Sequence, residues 1–424
     1  MTPSETEPAG PRQRVLWLST AAFTLLFAVW LMLGVLGIKI RDELQLTPSQ
    51  FDWLLAVAIL AGSLPRLHFG IWADRYGGRR MMTLTLLLTA APTFWVSRVT
   101  SFEELLACAA LFGLAGNSFT VGIAWCSAWF PNRTKGTALG VFGAGNVGAS
   151  VTKFLAPTLL ATIPAAGFLG GAIPGGWRFV PVVYAVPLLL MAAAVWFLSP
   201  APDRCPGRGR PLAEVLAPLR HTRVWRLSLY YVVVFGAYVA LAAYLPKYYV
   251  DVYGLPLATA GYLTALYIFP ASLLRPLGGW LSDHYGPRRV TYSVFVVMAA
   301  SLAVLSVPAS VLDLGVWGFT ALMFVVGCGM GIGKASVFKY VPDYFPRDVG
   351  AVGGLVGMLG ALGGFLLPPA FGVLGRWAGS PQAAFAALLL LTLVSLCWLH
   401  AVVVRLKATA RIAAADAEAV PAST

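Results

Sequence analysis

Four cationic side chains, Arg66, Lys153, Arg275 and Lys334, stand inside otherwise apolar runs of this 424-residue chain. The same runs hold no acid: all 17 Asp and Glu residues fall in polar segments, in tails or at the ends of runs. A charge at the centre of a bilayer costs about 2.5–3.5 kcal/mol on insertion scales, so a cation there needs a function or a partner. With no carboxylate beside them, the partner these side chains point to is an anion. Guanidinium offers a planar fork of donors suited to an oxyanion, whereas an ammonium is a point charge. The plainer alternatives are snorkelling to the interface and hydrogen bonding to helix carbonyls.

The elements that position these cations are membrane spans. The chain is 58% hydrophobic and 11% charged, with mean hydropathy +0.77; a soluble domain carries about 25% charged residues. Apolar runs fall at 15–38, 51–72, 80–97, 103–129, 135–163, 178–199, 224–250, 258–282, 289–308, 314–338, 349–375 and 382–404. Each fits a helix of ~20 residues. The expected fold is therefore all-α and polytopic, 12 transmembrane helices in two pseudo-symmetric six-helix bundles. The expected boundaries are a tail 1–14, a bundle 15–199, a Pro/Gly/Arg-rich linker 200–223, a bundle 224–405 and a tail 406–424. The polar first fourteen residues lead us to expect no removable signal peptide, the first span being its own insertion signal.

Charge placement orients the chain. Apart from the four buried cations, 20 basic residues, in loops, tails or at the ends of runs, fall on one side and six on the other. Positive residues stay inside, which predicts cytoplasmic termini and a multi-pass protein of the cell inner (plasma) membrane. It also assigns the net charge of +13 to the lipid bilayer and not to nucleic acid. Trp17, Trp53, Trp129, Tyr248, Trp317 and Trp377 lie near span ends, as interfacial belts would require. The five cysteines have neither metal-ligand nor redox spacing and read as small buried hydrophobes. No nucleotide-binding loop or nucleophile–base pair is legible. The expectation is a monomer that is no enzyme and needs no metal or cofactor.

The halves repeat. Arg66, Gly70, Asp74, Tyr76, Gly77, Arg79 and Arg80 recur 209 positions later as Arg275, Gly279, Asp283, Tyr285, Gly286, Arg288 and Arg289. A second register of 215 carries Phe130 and Pro131 onto Phe345 and Pro346, and Gly145 and Gly148 onto Gly360 and Gly363. Parallel repeats of six spans mark rocker-type carriers with substrate at the repeat interface. Each arginine lies eight residues before its aspartate, ~12 Å along a helix and so near the middle of a ~30 Å core. The two arginines are thus expected to face each other across a central cavity. Glycine-dense stretches at 140–150 and 353–364 allow close helix packing, which narrows the space and favours a small anion. Helix packing alone would also explain them.

The D-x-Y-G-x-R-R turns resemble the loop motif of the major facilitator superfamily, and the resemblance covers nearly the whole chain. In these turns Asp74 and Asp283 would pair with nearby arginines or cap a helix end, and Gly77 and Gly286 would permit the tight bend. Their role reads as gating hinge and latch. GNVGASVTKF (145–154) and GMLGALGGFLLP (357–368) look like the paired glycine-rich signatures of the nitrate/nitrite porter family. That resemblance implies that Arg66 and Arg275 grip the anion, and that Phe119 and Phe235 sandwich it. It also implies that Asn146 and Tyr231 hydrogen-bond near it. Tyr231 and Phe235 are one helical turn apart and share a face. Such a slot suits a flat monoanion, nitrate or nitrite, and would clash with a tetrahedral sulfate.

The segments around Lys153 and Lys334 look like the branch associated with proton-coupled nitrate uptake; other members exchange nitrate for nitrite and are neutral there. In the 215 register Lys334 is the counterpart of Phe119, hence on the cavity side. A buried lysine near two arginines gives up its proton easily, so anion arrival would draw one in and couple the fluxes. The lysines would otherwise only add positive potential or bond carbonyls. The expected function is nitrate/proton symport by alternating access, serving nitrate assimilation. The alternatives are nitrate/nitrite antiport and, further off, an anion channel. His68 is a second candidate for the proton.

Overall fold

A computed structural model describes residues 9–419 apart from 165, 169, 171, 172, 309, 310 and 313. The side chain of Lys153 lies outside the described set, although its backbone is helical. Among the described residues the helices follow one another in twelve columns. In the first half they are α1 (Ala9–Trp30, continued by Leu33–Glu43), α2 (Pro48–Ala61, then Arg66–Tyr76), α3 (Gly78–Val96), α4 (Phe102–Gly113, then Ser118–Trp129), α5 (Asn132–Gly143, then Gly148–Thr162) and α6 (Phe179–Leu198). In the second half they are α7 (Thr222–Tyr231, then Ala237–Tyr253), α8 (Leu257–Leu273, then Arg275–Tyr285), α9 (Pro287–Leu305), α10 (Gly315–Tyr344), α11 (Val349–Ala378) and α12 (Ala383–Ala419). Ten helical stretches among the described residues are long and apolar enough to cross a membrane. Helices α3 and α5 are not among those ten; their places in the chain are consistent with the expected twelve. Both tails are more helical than anticipated: α1 starts at Ala9, and α12 runs on through the alanine-rich RLKATARIAAADAEA, whose residues favour helix.

Several columns are broken at mid-depth. Gly62 to Pro65 separate the two segments of α2, and Leu274 those of α8, where Pro270 and Pro276 each remove a backbone donor. Arg66 and Arg275 consequently open the second segment of their columns. The breaks in α4 and α5 are 3₁₀ turns, Leu114–Asn117 and Ala144–Val147, and that in α7 is a π turn, Val232–Gly236. Such irregular turns free the local backbone and concentrate at functional positions.

The halves meet mainly at one end, where the sequence predicts the gate, and there α8's Arg275–Tyr285 runs along α5's Asn132–Gly143 and α2's Arg66–Tyr76 along the start of α11. A methyl group at Gly70 would strike the carbonyl of Gly350, and one at Gly279 that of Gly136. The backbones touch directly there, so part of the glycine density serves this contact and not the width of a central cavity. At the far end the halves barely meet, and a cavity of about 260 Å³ opens between Ser150 and the Ala242, Leu257 and Thr264 side. The aromatic belt needs correction at two places. Trp129 and Tyr248 are buried, the first bonded to Asp203 Oδ1 and the second stacked on Phe319 at 4.7 Å, whereas Trp17, Trp53, Trp317 and Trp377 are exposed.

Candidate functional site

Asp74 and Asp283 both face the opposite half. Asp74 Oδ2 accepts the Gly350 backbone N–H at 2.7 Å, capping the start of α11. Asp283 accepts the N–H groups of Gly136 (2.9 Å) and Thr137 (2.7 Å) and the Thr137 hydroxyl (2.8 Å), capping α5. The ion partner of Asp283 is Lys339 at 3.0 Å, and no ion pair among the described residues joins either aspartate to the loop arginines. Lys339 and Lys135, which sequence alone left in loops, are buried at the gate end. Gly77 (φ +92°) and Gly286 (φ +82°) make the bends that follow the aspartates, in a region L-residues avoid.

The segment between the halves is strapped across this end. Asp203 accepts both the Trp125 and Trp129 indole N–H groups at 3.1 Å and the Arg79 N–H at 2.8 Å. Gly207 N–H donates to the Asp74 carbonyl at 2.9 Å, and Arg210 pairs with Asp348, just before α11, at 2.6 Å. At the far end Glu43 holds Arg178 and the Trp177 indole. Burial works to raise the Glu43 carboxyl, but these two donors and the Arg178 charge outweigh it and hold the group below its ordinary 4.5.

Above the gate the two arginines sit sealed from solvent, Arg66 0% and Arg275 2% exposed. Arg66 Nη1 donates to the carbonyl of Gly357 (3.0 Å) and Nε to that of Gly62 (2.9 Å). Arg275 Nη1 donates to the carbonyl of Gly143 (2.8 Å) and Nη2 to the Tyr231 hydroxyl (3.2 Å). Carbonyl bonding, the plainer alternative, is therefore real but incomplete: Arg66 Nη2 and Arg275 Nε are buried with no partner among the described residues. Both amide atoms of Asn146 and the Thr120 hydroxyl are buried and unpartnered too. Each such group costs about 1–3 kcal/mol, a cost that an acceptor among them removes for the donors.

The aromatic side chains gather at the same place. Phe119 and Phe235 are parallel within 4°, centroids 6.4 Å apart, and Tyr231 stacks on Phe235 at 5.0 Å. The Arg66 guanidinium carbon lies 5.7 and 5.9 Å from the Phe119 and Phe235 centroids, and that of Arg275 lies 5.3 Å from Phe119. Asn146 stands three residues past Gly143, in the 3₁₀ turn of α5. Lys334 is fully buried, donates to the Ala271 carbonyl at 3.0 Å, and holds its ammonium 3.1 Å from the Tyr238 centroid and 5.8 Å from that of Phe235. His68 is not among these groups: it is exposed and packs by Trp72. Sequence reasoning missed Phe338, which meets Phe119 and Tyr231 edge-on at 5.0 and 4.6 Å, and also Trp30, Thr120 and Tyr238. Phe338 was findable, because it lies one helical turn beyond Lys334.

These observations define a membrane-embedded protein of two repeated halves closed around a cationic centre. The chain belongs to the Major Facilitator Superfamily, which it matches over residues 18–368 and again over 253–424. It is 59% identical over 419 residues to a probable nitrate/nitrite antiporter, NarK1, of Thermus thermophilus, covering 95% of each chain. It is 31% identical to a nitrite extrusion protein of Bacillus subtilis, over 85% of this chain and 87% of that one. Among solved structures it resembles the transporter FucP in the outward conformation (TM-score 0.74, 17% identity, 91% of this chain and 97% of that one), a likeness of fold alone.

Proposed function

We propose that this protein carries nitrate and nitrite across the inner membrane by alternating access, with both termini in the cytoplasm. The carrying observation is the parallel Phe119–Phe235 pair flanked by Arg66 and Arg275, whose donors are only partly used. A planar ion between two rings needs about 3.5 Å on either side, so the Phe119 and Phe235 rings, whose centroids lie 6.4 Å apart, would move apart to admit it. Nitrate's edge oxygens would then meet Arg66 Nη2 and Arg275 Nε, with Tyr231 and Asn146 beside them. Asp74, Gly77, Asp283 and Gly286 would form the hinges and latches that release when the gate end opens.

Anion exchange is the coupling this arrangement favours. Two buried guanidinium groups with no carboxylate repel each other as the halves close, and a bound monoanion removes that repulsion, so the loaded carrier returns more easily than the empty one. The relative named as an antiporter supports the same reading. Proton symport stands as the second reading on one observation, the fully buried Lys334, which has a carbonyl and two rings but no acid as neighbours. Purified protein in liposomes decides between them. Exchange requires nitrate entry to depend on nitrite loaded inside and to ignore a pH gradient. Entry driven by an inward proton gradient without internal anion, and lost in Lys334→Met, would replace exchange by symport. Absence of both fluxes would remove the proposed substrate.

A further inference from the structure

A cavity of about 1270 Å³ lies away from the central site at the gate end of the second half, among α9, α10 and α12. Arg288, Arg289 and Lys407 bring three permanent cations to its wall, and His284 stands at its rim. None of the three cations forms an ion pair with a described carboxylate. The one acid on the wall, Asp343, is already engaged by Lys339 at 3.5 Å. The N-terminus of α9, whose dipole favours negative charge, opens into the same space at Gly286 and Pro287. Tyr340, only 3% exposed, is one of the lining side chains, and its hydroxyl is sealed from solvent behind the wall with no hydrogen-bond partner among the described residues.

A second cavity of about 480 Å³ adjoins the first and shares Tyr285, Arg289 and Ser293 with it. Its wall is apolar, with Leu281, Val290, Val294, Val297, Val325 and Ile332 from α8, α9 and α10. A basic chamber that continues into an apolar groove on a membrane protein matches one amphiphile in charge and in shape. We propose that these two cavities bind an anionic phospholipid, its phosphate among Arg288, Arg289, Lys407 and Tyr340 and an acyl chain along the groove.

The test uses full-length protein in a neutral detergent, offered dioleoyl phosphatidylglycerol or dioleoyl phosphatidylcholine and read by native mass spectrometry and by the thermal midpoint. Phosphatidylglycerol is expected to be retained preferentially and to raise the midpoint, and Lys407→Ala to weaken its retention about fivefold. Arg289→Ala with Lys407→Ala should cost roughly the square of that. Lys407 is exposed beyond the span, so its replacement leaves folding intact, as the midpoint without lipid will report. Equal retention of both lipids, or unchanged retention by the variants, overturns the proposal. So does equal protection by soluble glycerol phosphate, which would make the chamber a site for free anions.

Discussion

Arg66 and Arg275 make the same bond to the opposite half, to Gly357 and Gly143 at 3.0 and 2.8 Å, yet the aspartates eight residues further on are held unequally. Asp283 gathers three hydrogen bonds and a buried lysine. Asp74 caps α11 with one bond to Gly350 while its Oδ1 stays unpartnered. The 215 register explains the gap, since it places Ala124 in the first half opposite Lys339. What the first half lacks in charge the linker supplies from outside, through Gly207 on the Asp74 carbonyl and Arg210 on Asp348. One half-gate is closed by a buried ion pair, and the other by a strap that belongs to neither bundle.

The comparison breaks first at the arginines. Arg66→Lys and Arg275→Lys should each lower nitrate uptake by roughly ten- to a hundredfold, because a charge-assisted bond is worth about 1.5–3 kcal/mol and a point charge lacks the fork. Near-normal uptake by both would end the case for a paired grip. At the latches, Asp283→Asn leaves the buried Lys339 with only the longer contact to Asp343 and the Asn132 carbonyl, a loss of about 1.5–3 kcal/mol; Asp74→Asn should cost about 1 kcal/mol. Spin-label distances across the gate end should show Asp283→Asn opening it further, and equal opening would erase the asymmetry.

Arg210→Ala should cost about 0.5–1 kcal/mol, as partly exposed pairs do. Its effect on gate opening should exceed additivity with Asp74→Asn and simply add to Asp283→Asn. The smallest effect belongs to the far end. Glu43 is held below 4.5 in the folded protein, so its contribution is present above that pH and is lost as the pH falls through the lower folded value. Its carboxylate is half-exposed, so Glu43→Gln should lower the thermal midpoint at neutral pH by no more than about 2 °C. The two midpoints should converge in acid.

Composition and repeat made the membrane fold legible, because a mostly apolar chain with duplicated turns has few other ways to bury itself. The arginines were legible too, since a cation in an apolar run is conspicuous. The latch chemistry was not. Nothing local distinguishes Lys339 from a loop lysine until α10 is seen to carry it inward beside Asp283. The linker reads as a spacer because the indoles that hold Asp203 lie over 70 positions earlier. The repeat also hid a detail. Gly136, Gly140 and Gly143 match Gly350, Gly354 and Gly357 at an offset of 214, whereas Gly145 and Gly148 match at 215. Sequence cannot say where the odd residue goes.

The 3₁₀ turn Ala144–Val147 says where. Four residues at about 2.0 Å each span ~8 Å, the reach of five α-helical residues at 1.5 Å. The shorter copy is stretched, like a vernier set against its twin, until both columns present matched ends to the gate. Inserting one residue there would let the α-helix run straight through and would swing whatever follows by about 100°. The midpoint asparagine, Asn146, would turn with it, and a change that improves the regularity of the backbone would cost the pair of halves their alignment.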